Sequence, residues 1–264
     1  MELELFGSLG DEIAVTGAVR ALRDTYPDLK IEVNVRRPWI FSNSPRFNGT
    51  HEMLQLPRKV ELPLGGNNHQ HMVDAYVAAC GLTPRDEYRM PELFLTDQEL
   101  EVGRHISPGT IAIDTWAGWP SRRWPFDMWQ AVVSELRESY PVIEIGASTP
   151  DCFGRRRTEI LQDTDACYID TFSVRETAGL LKGCALYLGQ DSGLMHVAAA
   201  VGTPQVVVFG PKDSSLRAYS NTYPVNPGTG CNCEEVCNGF RNPCPTYVSV
   251  EEVVQEVVKR VERH

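Results

Sequence analysis

Residues 184–211 constrain the fold of this chain more than any other stretch of its sequence. A short apolar run at 185–188 predicts a buried strand, and a second run at 205–209 predicts another. The alanine-rich stretch 194–201 between them predicts a short helix, which Gly202 ends in the usual way. Strand, polar turn, helix and strand in this order predict a compact βαβ unit.

The turn of this unit places Asp191, Ser192 and Gly193 at the predicted start of the helix. Unpaired N–H groups and the helix dipole at such a start favour an anion such as a diphosphate. A glycine there also lets a ligand approach the backbone closely. An ordinary strand-to-helix connection with a capping Asp or Ser has the same spacing, so the spacing alone does not establish a binding site.

Size and charge exclude several classes of protein. The 264 residues are enough for one large domain or two small ones. The net charge of −10, from 25 basic and 35 acidic residues, disfavours non-specific binding to nucleic acid or to an anionic membrane. The sequence has no apolar run long enough to span a bilayer and does not begin like a signal peptide, so we expect a cytoplasmic protein.

Strands and helices alternate along the chain, which predicts an α/β fold with parallel sheets. The first elements are a strand at 2–6, a helix at 11–26 and a strand at 30–35. The glycine turn at 7–10 lacks the G-x-G-x-x-G spacing, which disfavours a nicotinamide dehydrogenase. Asp11, at the mouth of this turn, is typical of a residue that caps a helix.

A second basic and aromatic segment follows the predicted strand 110–114 and precedes a predicted helix at 126–140. It contains Arg122 and Arg123 directly before Trp124 and a proline. The planar guanidinium of arginine can hold two phosphate oxygens at once. Two arginines on a solvated loop are the alternative explanation.

Four of the eight cysteines fall within fourteen residues, at Cys231, Cys233, Cys237 and Cys244. Four thiolates so close together are enough for a tetrahedral zinc or an iron centre. Disulfides and free thiols remain alternatives, although the cytoplasm disfavours disulfides. The remaining cysteines are expected to be small core residues: Cys80, Cys152, Cys167 and Cys184.

Three other polar clusters predict no site. His69 and His71 lack a third ligand nearby and are expected to be polar residues of the surface or of an acceptor cleft. The run of three arginines at 155–157 is typical of a solvated helix face. The D-x-D triplet at 163–165 lies between predicted elements and is expected to be a loop.

The string D-S-G-L-M-H-x-A-A-A-x-G-T-P-x-x-x-x-F-G-P at 191–211 resembles the signature of glycosyltransferase family 9, the ADP-heptose:lipopolysaccharide heptosyltransferases. The start of the chain is similar too, with a glycine turn, Gly10-Asp11, and a T-x-x-x-R-x-L pattern at 16–22. This resemblance implies a GT-B architecture, in which two Rossmann-like domains face a cleft, here with a reduced amino-terminal domain.

The same resemblance implies a division of the chain. Residues 1–106 would form the acceptor-binding Rossmann-like domain, and residues 107–248 the domain that binds a nucleotide sugar. Residues 249–264 would form a carboxy-terminal helix that packs back on the amino-terminal domain. Ser249 and Glu252 have the spacing of a capping box at the start of this helix.

By resemblance, the chain is an inverting glycosyltransferase with Asp11 as the catalytic base. Asp191 would position hydroxyls of the donor sugar, and His196 a phosphate or sugar oxygen, although a buried core histidine is the alternative. The donor-binding residues that the resemblance implies are Thr115, Gly118, Arg122, Arg123, Gly146, Asp191, Ser192, Gly193 and His196. The chemistry needs no metal, so zinc or iron at the cysteines would be structural.

The implied partners are a nucleoside-diphosphate sugar, with an ADP-sugar favoured, and a saccharide, lipid-linked or protein acceptor. Two other functional classes remain open. One is a module that binds a nucleotide sugar without catalysis, and the other is a metal or redox protein built on the cysteines at 231–244.

Overall fold

The computed structural model describes residues 2–5, 7–46, 59–63, 69–210, 213–226 and 247–262. The chain divides into two compact units. The first unit comprises Met1–Thr96 together with Ser215–Ser220, and the second comprises Asp97–Ser214 together with Asn221–His264. Among the described residues, none of the helices is long and apolar enough to cross a membrane.

The first unit is a small parallel sheet with helices. Its strands have the order β2-β1-β3 and pair in parallel. Their bounds are β1 Glu2–Glu4, β2 Glu32–Asn34 and β3 Lys59–Glu61, and the helices are α1 Leu9–Thr25, α2 Met72–Ala79 and α3 Asp86–Arg89. The sequence also predicts a short strand at 51–56, which lies outside the described residues.

The T-x-x-x-R pattern of α1 holds this helix against the segment around α3. The Oγ1 atom of Thr16 accepts a hydrogen bond from the backbone N–H of Glu92 at 2.9 Å. The Nη1 atom of Arg20 lies 3.1 Å from the Oε1 atom of Glu92. A Cβ atom on Gly17 would lie 2.4 Å from the carbonyl oxygen of Tyr88, so only glycine permits this close approach. The pattern is therefore a packing device within the first unit.

The second unit is built on a six-stranded parallel sheet with the order β6-β5-β4-β7-β8-β9. The strands are β4 Ile111–Ile113, β5 Val142–Gly146, β6 Ala166–Ile169, β7 Leu186–Gln190, β8 Gln205–Val208 and β9 Thr222–Val225. The chain runs outward from β4 to β6 on one side and from β7 to β9 on the other. The strand order therefore reverses between β4 and β7, which is where open α/β sheets bind ligands.

The helices of the second unit are α4 Asp97–Arg104, α5 Phe126–Leu136, α6 Val174–Gly183, α7 Gly193–Ala200 and α8 Val250–Val261. The predicted capping box of α8 is confirmed, because Ser249 accepts from the N–H of Glu252, whose side chain accepts in return from Ser249. Val253 and Val257 of α8 are fully buried in the core over this sheet. The sequence instead placed this helix on the amino-terminal domain. In the described part of the chain, its apolar face is covered by α5 and by strands of its own unit.

The boundary between the units also differs from the expected residue 106. It falls before α4, because α4 packs on α6 through glycines that allow the two backbones to touch. A Cβ atom on Gly179 would lie 1.8 Å from the carbonyl oxygen of Glu99, and one on Gly103 would lie 2.2 Å from that of Gly179. Such close helix packing joins residues 97–104 to the second unit.

Two further expectations fail for physical reasons. The polar sequence of residues 212–230 predicts no strand, but β9 lies within it. Strand β9 is at the edge of the sheet, and an edge position tolerates its Pro224. Cys152 and Cys167 are exposed and not part of the core, whereas Cys80 and Cys184 are buried as expected.

Gly179→Ala is expected to destabilise the protein. Alanine has a better helix propensity than glycine by about 1 kcal/mol. Its methyl group, however, would overlap the backbone of α4, and overpacking of this kind costs about 1–3 kcal/mol. Because the overlap is with a backbone oxygen, which cannot turn aside, we expect a cost at the upper end of this range. The net loss in the free energy of unfolding, measured by urea denaturation, should then be about 2 kcal/mol.

The matched control is Gly118→Ala, whose added methyl group would meet nothing within 4 Å. It should change the free energy of unfolding by less than about 0.5 kcal/mol. Equal stability of the Gly179→Ala protein and the wild type would contradict the described contact between α4 and α6.

Candidate functional site

The polar residues predicted from sequence gather at the carboxyl ends of β4 and β7. These strands are neighbours, with Ile113 opposite Leu188. Asp114 and Thr115 follow β4 directly, and Asp191 and Ser192 follow β7. All of them therefore lie at the point where the strand order reverses, as the α/β topology requires of a ligand site.

A buried cluster of charges underlies this edge of the sheet. The Arg157 guanidinium donates a hydrogen bond to Glu144 on β5 and a second, of 2.6 Å, to the Oγ1 atom of Thr115. Its Nη1 atom lies 3.8 Å from the Oδ1 atom of Asp114. The sequence expectation that residues 155–157 form a solvated helix face is wrong for Arg157. This side chain is only 3% exposed, because it neutralises two carboxylates inside the protein.

Gly146 makes room for this cluster. Its φ angle of +141° lies in a region that L side chains rarely adopt. A Cβ atom there would also lie 3.0 Å from both the Nη1 atom of Arg157 and the Oδ1 atom of Asp114. In this structure the glycine at the end of β5 therefore allows Arg157 to approach Asp114.

Burial controls the acidity of the two carboxyl groups. It raises the pKa of Asp114 to about 6, against the lowering effects of Arg157, the backbone N–H of Trp116 and the Ser192 hydroxyl. Burial likewise raises the pKa of Glu144, which Arg157 in part opposes. The single guanidinium thus compensates incompletely for the desolvation of two acids.

The start of α7 lacks the usual side-chain cap. Ser192 occupies the N-cap position with an extended backbone, but its side chain makes no capping hydrogen bond. Its hydroxyl donates instead to the Oδ2 atom of Asp114 at 3.1 Å. Gly193 begins the helix, and His196 lies buried on it.

The two adjacent arginines have different environments. The Nη1 atom of Arg122 lies 3.2 Å from the Oδ2 atom of the buried Asp191, so this guanidinium lies beside the turn that begins α7. Arg123 is fixed elsewhere. It donates to Asp151 at 3.0 Å and to the carbonyl oxygen of Ala117 at 2.9 Å, and its guanidinium lies 3.4 Å from the centre of the Trp116 ring.

A cavity of about 260 Å³ lies next to these groups within the second unit. Its wall combines rings with charged side chains, including Thr115, Trp116, Arg123, Trp124, Arg157 and Glu159. Gly118 is exposed, and its carbonyl oxygen accepts a hydrogen bond from the N–H of Cys152 at 3.0 Å. Asp151, the first acidic residue after β5, is already bound to Arg123 and Arg155.

Asp11 lies in the first unit, in the first turn of α1. Its Oδ2 atom accepts hydrogen bonds from the N–H of Ser8 at 2.9 Å and from the Ser8 hydroxyl at 2.6 Å. Its Oδ1 atom accepts from the hydroxyl of Tyr76 at 3.2 Å. Burial, together with the charge of Asp11, raises the pKa of Tyr76, so this phenol remains a donor at all ordinary pH values.

Sequence reasoning missed the surroundings of Asp11. Tyr76 sits in an apolar stretch of α2 and gives no signal of a polar role. His71 is not a residue of the surface, which was one of the two places expected for it. It is buried and caps α2 through its Nδ1 atom, and burial lowers its pKa to about 4, so it is neutral. Its ring packs edge-on against Tyr219, from the segment Ser215–Ser220, which completes this unit.

The sequence profile described as glycosyltransferase family 9 (heptosyltransferase) matches residues 47–239, well over half of the chain. The chain belongs to glycosyltransferase family 9. Among curated proteins of the family, lipooligosaccharide heptosyltransferase 2 of Haemophilus influenzae is 28% identical to it over 97 residues. That alignment covers 35% of this chain and 28% of the relative, so the chain spans much less than the full length of such relatives.

Solved structures of the family share the fold. A glycosyltransferase family 9 protein from Veillonella parvula superposes with a TM-score of 0.81 at 14% identity, covering 100% of this chain and 97% of that one. The iron-containing dodecameric glycosyltransferase TibC of enterotoxigenic E. coli superposes with a TM-score of 0.80 at 18% identity, covering 99% of this chain and 75% of that one. TibC has also been solved in complex with ADP-D-beta-D-heptose. The predicted α/β, GT-B fold of this family 9 chain is confirmed.

The predicted metal ligands Cys231, Cys233, Cys237 and Cys244 lie outside the described residues. Within the residues that are described, no group of three or more His, Cys, Asp or Glu side chains is placed to hold a metal ion. The prediction of a structural metal at the cysteines therefore stays a prediction.

The raised pKa of Asp114 makes a prediction about stability. The folded chain holds the Asp114 proton more tightly than the unfolded chain, so protonated Asp114 stabilises the folded state. This contribution to the free energy of unfolding is present at low pH and is lost as the pH rises from about 4 through about 6. A shift of roughly two pKa units corresponds to roughly 3 kcal/mol. Asp114→Asn removes the effect. The stability of the wild type relative to this variant should therefore fall by about 2–3 kcal/mol between pH 4 and pH 7.5, measured by urea unfolding.

Asp170→Asn is the matched control. Hydrogen bonds from Ser148 lower the pKa of Asp170, so the stability of the wild type relative to this variant should change with pH in the opposite direction. Parallel pH profiles for the wild type and Asp114→Asn would show that Asp114 ionises normally and would contradict the prediction.

Proposed function

We propose that this chain is an inverting glycosyltransferase that moves a sugar, a heptose or a related sugar, from a nucleoside-diphosphate sugar to an acceptor hydroxyl. The second unit would hold the donor, and Asp11 of the first unit would act as the base. Family membership supports sugar transfer. The donor is proposed to be an ADP-sugar, because TibC, which shares the fold, binds ADP-D-beta-D-heptose.

One arrangement carries the proposal. Arg122 lies beside Asp191, at the start of a helix whose N-cap serine makes no capping hydrogen bond. Helix N–H groups, the helix dipole and a guanidinium together form an environment that favours a diphosphate. The nearby cavity combines aromatic rings with polar groups, which suits the nucleoside part of such a donor.

The proposed reaction is a single displacement. The acceptor oxygen attacks the anomeric carbon of the donor while Asp11 takes the proton of that hydroxyl. A C–O bond to the acceptor forms as the C–O bond to the diphosphate breaks, with inversion at the anomeric carbon. The nucleoside diphosphate leaves with the bonding electrons, and its charge is met by Arg122 and by the N–H groups around Ser192 and Gly193. No step requires a metal ion or another cofactor.

The contacts of Asp11 suit a base held in one orientation. Ser8 and Tyr76 between them donate to both carboxylate oxygens, which holds the carboxylate in one orientation. The Ser8 contacts are also those of a capping box, which by itself accounts for an acidic residue at this position. The experiments must therefore distinguish a role of Asp11 in capping α1 from a role as the catalytic base.

The acceptor is proposed to be a lipid-linked saccharide. Curated relatives are named as lipopolysaccharide or lipooligosaccharide heptosyltransferases. A free saccharide and a protein are the other acceptors that an assay must include. We also propose that the enzyme works in the cytoplasm, where nucleotide sugars are available.

Arg122→Gln is expected to weaken ADP binding by at least about tenfold, because a charge-assisted hydrogen bond to phosphate contributes about 1.5–3 kcal/mol. Isothermal titration with ADP measures this. Arg137→Gln is the control, because Arg137 pairs with Asp163 at 3.1 Å and does not line the cavity. It should leave the ADP affinity within about threefold. An equal loss of affinity in both variants would contradict the proposed role of Arg122 at the diphosphate.

Asp11→Asn is expected to lower the turnover number by about 10²–10⁴-fold while ADP binding stays unchanged, because the donor is held by the other unit. Release of ADP from ADP-heptose, with lipopolysaccharide that lacks heptose as acceptor, measures turnover. Ser8→Ala is the matched control, because it breaks the same capping box but keeps the carboxylate. We expect it to cost about 1 kcal/mol of stability and less than tenfold in turnover.

Equal turnover losses in Asp11→Asn and Ser8→Ala would assign Asp11 to the cap alone. A wild type that binds ADP but shows no turnover would favour the second candidate, a module that binds a nucleotide sugar without transferring it. The capping geometry at Asp11 is the observation that keeps this candidate open.

A further inference from the structure

The hydroxyl of Ser192 is held on the side of the sheet and away from α7. It donates to the Oδ2 atom of Asp114 at 3.1 Å, and it lies 3.4 Å from the hydroxyl of Tyr187. A serine hydroxyl has one proton and two lone pairs. Its proton goes to Asp114, and the Tyr187 hydroxyl, which also hydrogen-bonds to Asp114, lies against the Ser192 hydroxyl. Asp114 and Tyr187 together therefore fix the hydroxyl.

This arrangement is unusual for an N-cap residue. A serine at this position normally accepts a hydrogen bond from an N–H group of the first helical turn. Such a bond raises the equilibrium constant for helix formation by about fivefold to tenfold. Ser192 has the extended backbone of an N-cap residue, with φ −136° and ψ 174°, but makes no such bond. The neighbouring Gln190 is also incompletely bonded: its Nε2 atom is buried and has no hydrogen-bond acceptor among the described residues.

The surrounding sequence maintains this geometry. Asp114 is fixed from its other side, because its Oδ1 atom accepts the backbone N–H of Trp116 at 3.1 Å and faces Arg157. A Cβ atom on Gly189 would lie 2.2 Å from the hydroxyl of Tyr187. Glycine at 189 thus lets the tyrosine ring fold back along its own strand far enough to reach Ser192.

We infer that Asp114 is a positioning residue of the donor site: it takes the hydroxyl of Ser192 and so leaves the first-turn N–H groups of α7 to the donor diphosphate. This inference rests on the proposed function, since it needs an anion at α7. Without Asp114, the serine would cap its own helix, and a donor would first have to displace it. The aspartate does not touch the donor and takes no part in bond making or breaking.

A double-mutant cycle on Asp114 and Ser192 tests this inference, with the dissociation constant of ADP from isothermal titration as the readout. The variants are Asp114→Val, Ser192→Ala and the combination of both. Removal of the Asp114 charge also changes the attraction for an anion, but it does so equally with and without the serine hydroxyl and cancels in the cycle.

Ser192→Ala should bind ADP within about twofold of the wild type, because the N–H groups remain and no hydroxyl competes for them. Asp114→Val should weaken binding about fivefold more in the presence of the Ser192 hydroxyl than in its absence. This rescue by Ser192→Ala would not occur if Asp114 only stabilised the fold. Glu144→Gln is the matched control, because Glu144 pairs with the same Arg157 but does not contact Ser192. In its cycle with Ser192→Ala, the loss of ADP affinity caused by Glu144→Gln should be the same with and without the Ser192 hydroxyl, so that the ratio of the two losses is near one.

The possible failures are distinct. A wild type that does not bind ADP would overturn the proposed function. A wild type that binds, with a cycle ratio near one for Asp114 and Ser192, would overturn this inference alone. If Asp114→Val does not fold, Ser192→Ala decides by itself. A loss of more than about fivefold in that variant would mean that the hydroxyl holds the loop or the donor directly, and would also overturn the inference.

Discussion

The contacts of the buried Arg157 guanidinium are the interactions on which the carboxyl-terminal edge of the sheet in the second unit depends. The guanidinium lies between Glu144 and Asp114, and burial raises the pKa of both acids. Desolvating two carboxylates against one cation is costly, and removing the cation would leave uncompensated charge inside the protein. The arrangement therefore contributes little to stability as such. Its effect is to fix Asp114, and through Asp114 the hydroxyl of Ser192.

The same edge of the sheet illustrates why adjacent residues of one type differ in role. Arg122 and Arg123 follow one another, yet Arg122 ends a short 3-10 helix, Pro120–Arg122, whereas Arg123 has an extended backbone. Arg123 turns toward Trp116 and Asp151 and fastens the loop that leads to α5. Arg122 turns toward Asp191, at the start of α7. The change of backbone conformation between the two arginines therefore directs their guanidinium groups to different partners.

The sequence predicted the parts of this structure that local chemistry determines. The βαβ unit at 184–211, the capping box at Ser249 and the parallel sheets follow from periodicity and end signals, which act over a few residues. What it missed depends on contacts between distant residues. Arg157 resembles any surface arginine in sequence, and its burial results from a carboxylate thirteen positions earlier on β5. Likewise Tyr76 reaches Asp11 across sixty-five positions.

If Asp11 is the base that we propose, a structural and a catalytic requirement coincide in one side chain. A base is effective when its orientation is fixed before the substrate binds, since freezing a carboxylate during the reaction would cost entropy. The capping box supplies that fixation without a separate device, because the contacts of Ser8 that begin α1 also hold Oδ2. Tyr76 then fixes Oδ1, and as a neutral phenol it donates without adding a charge.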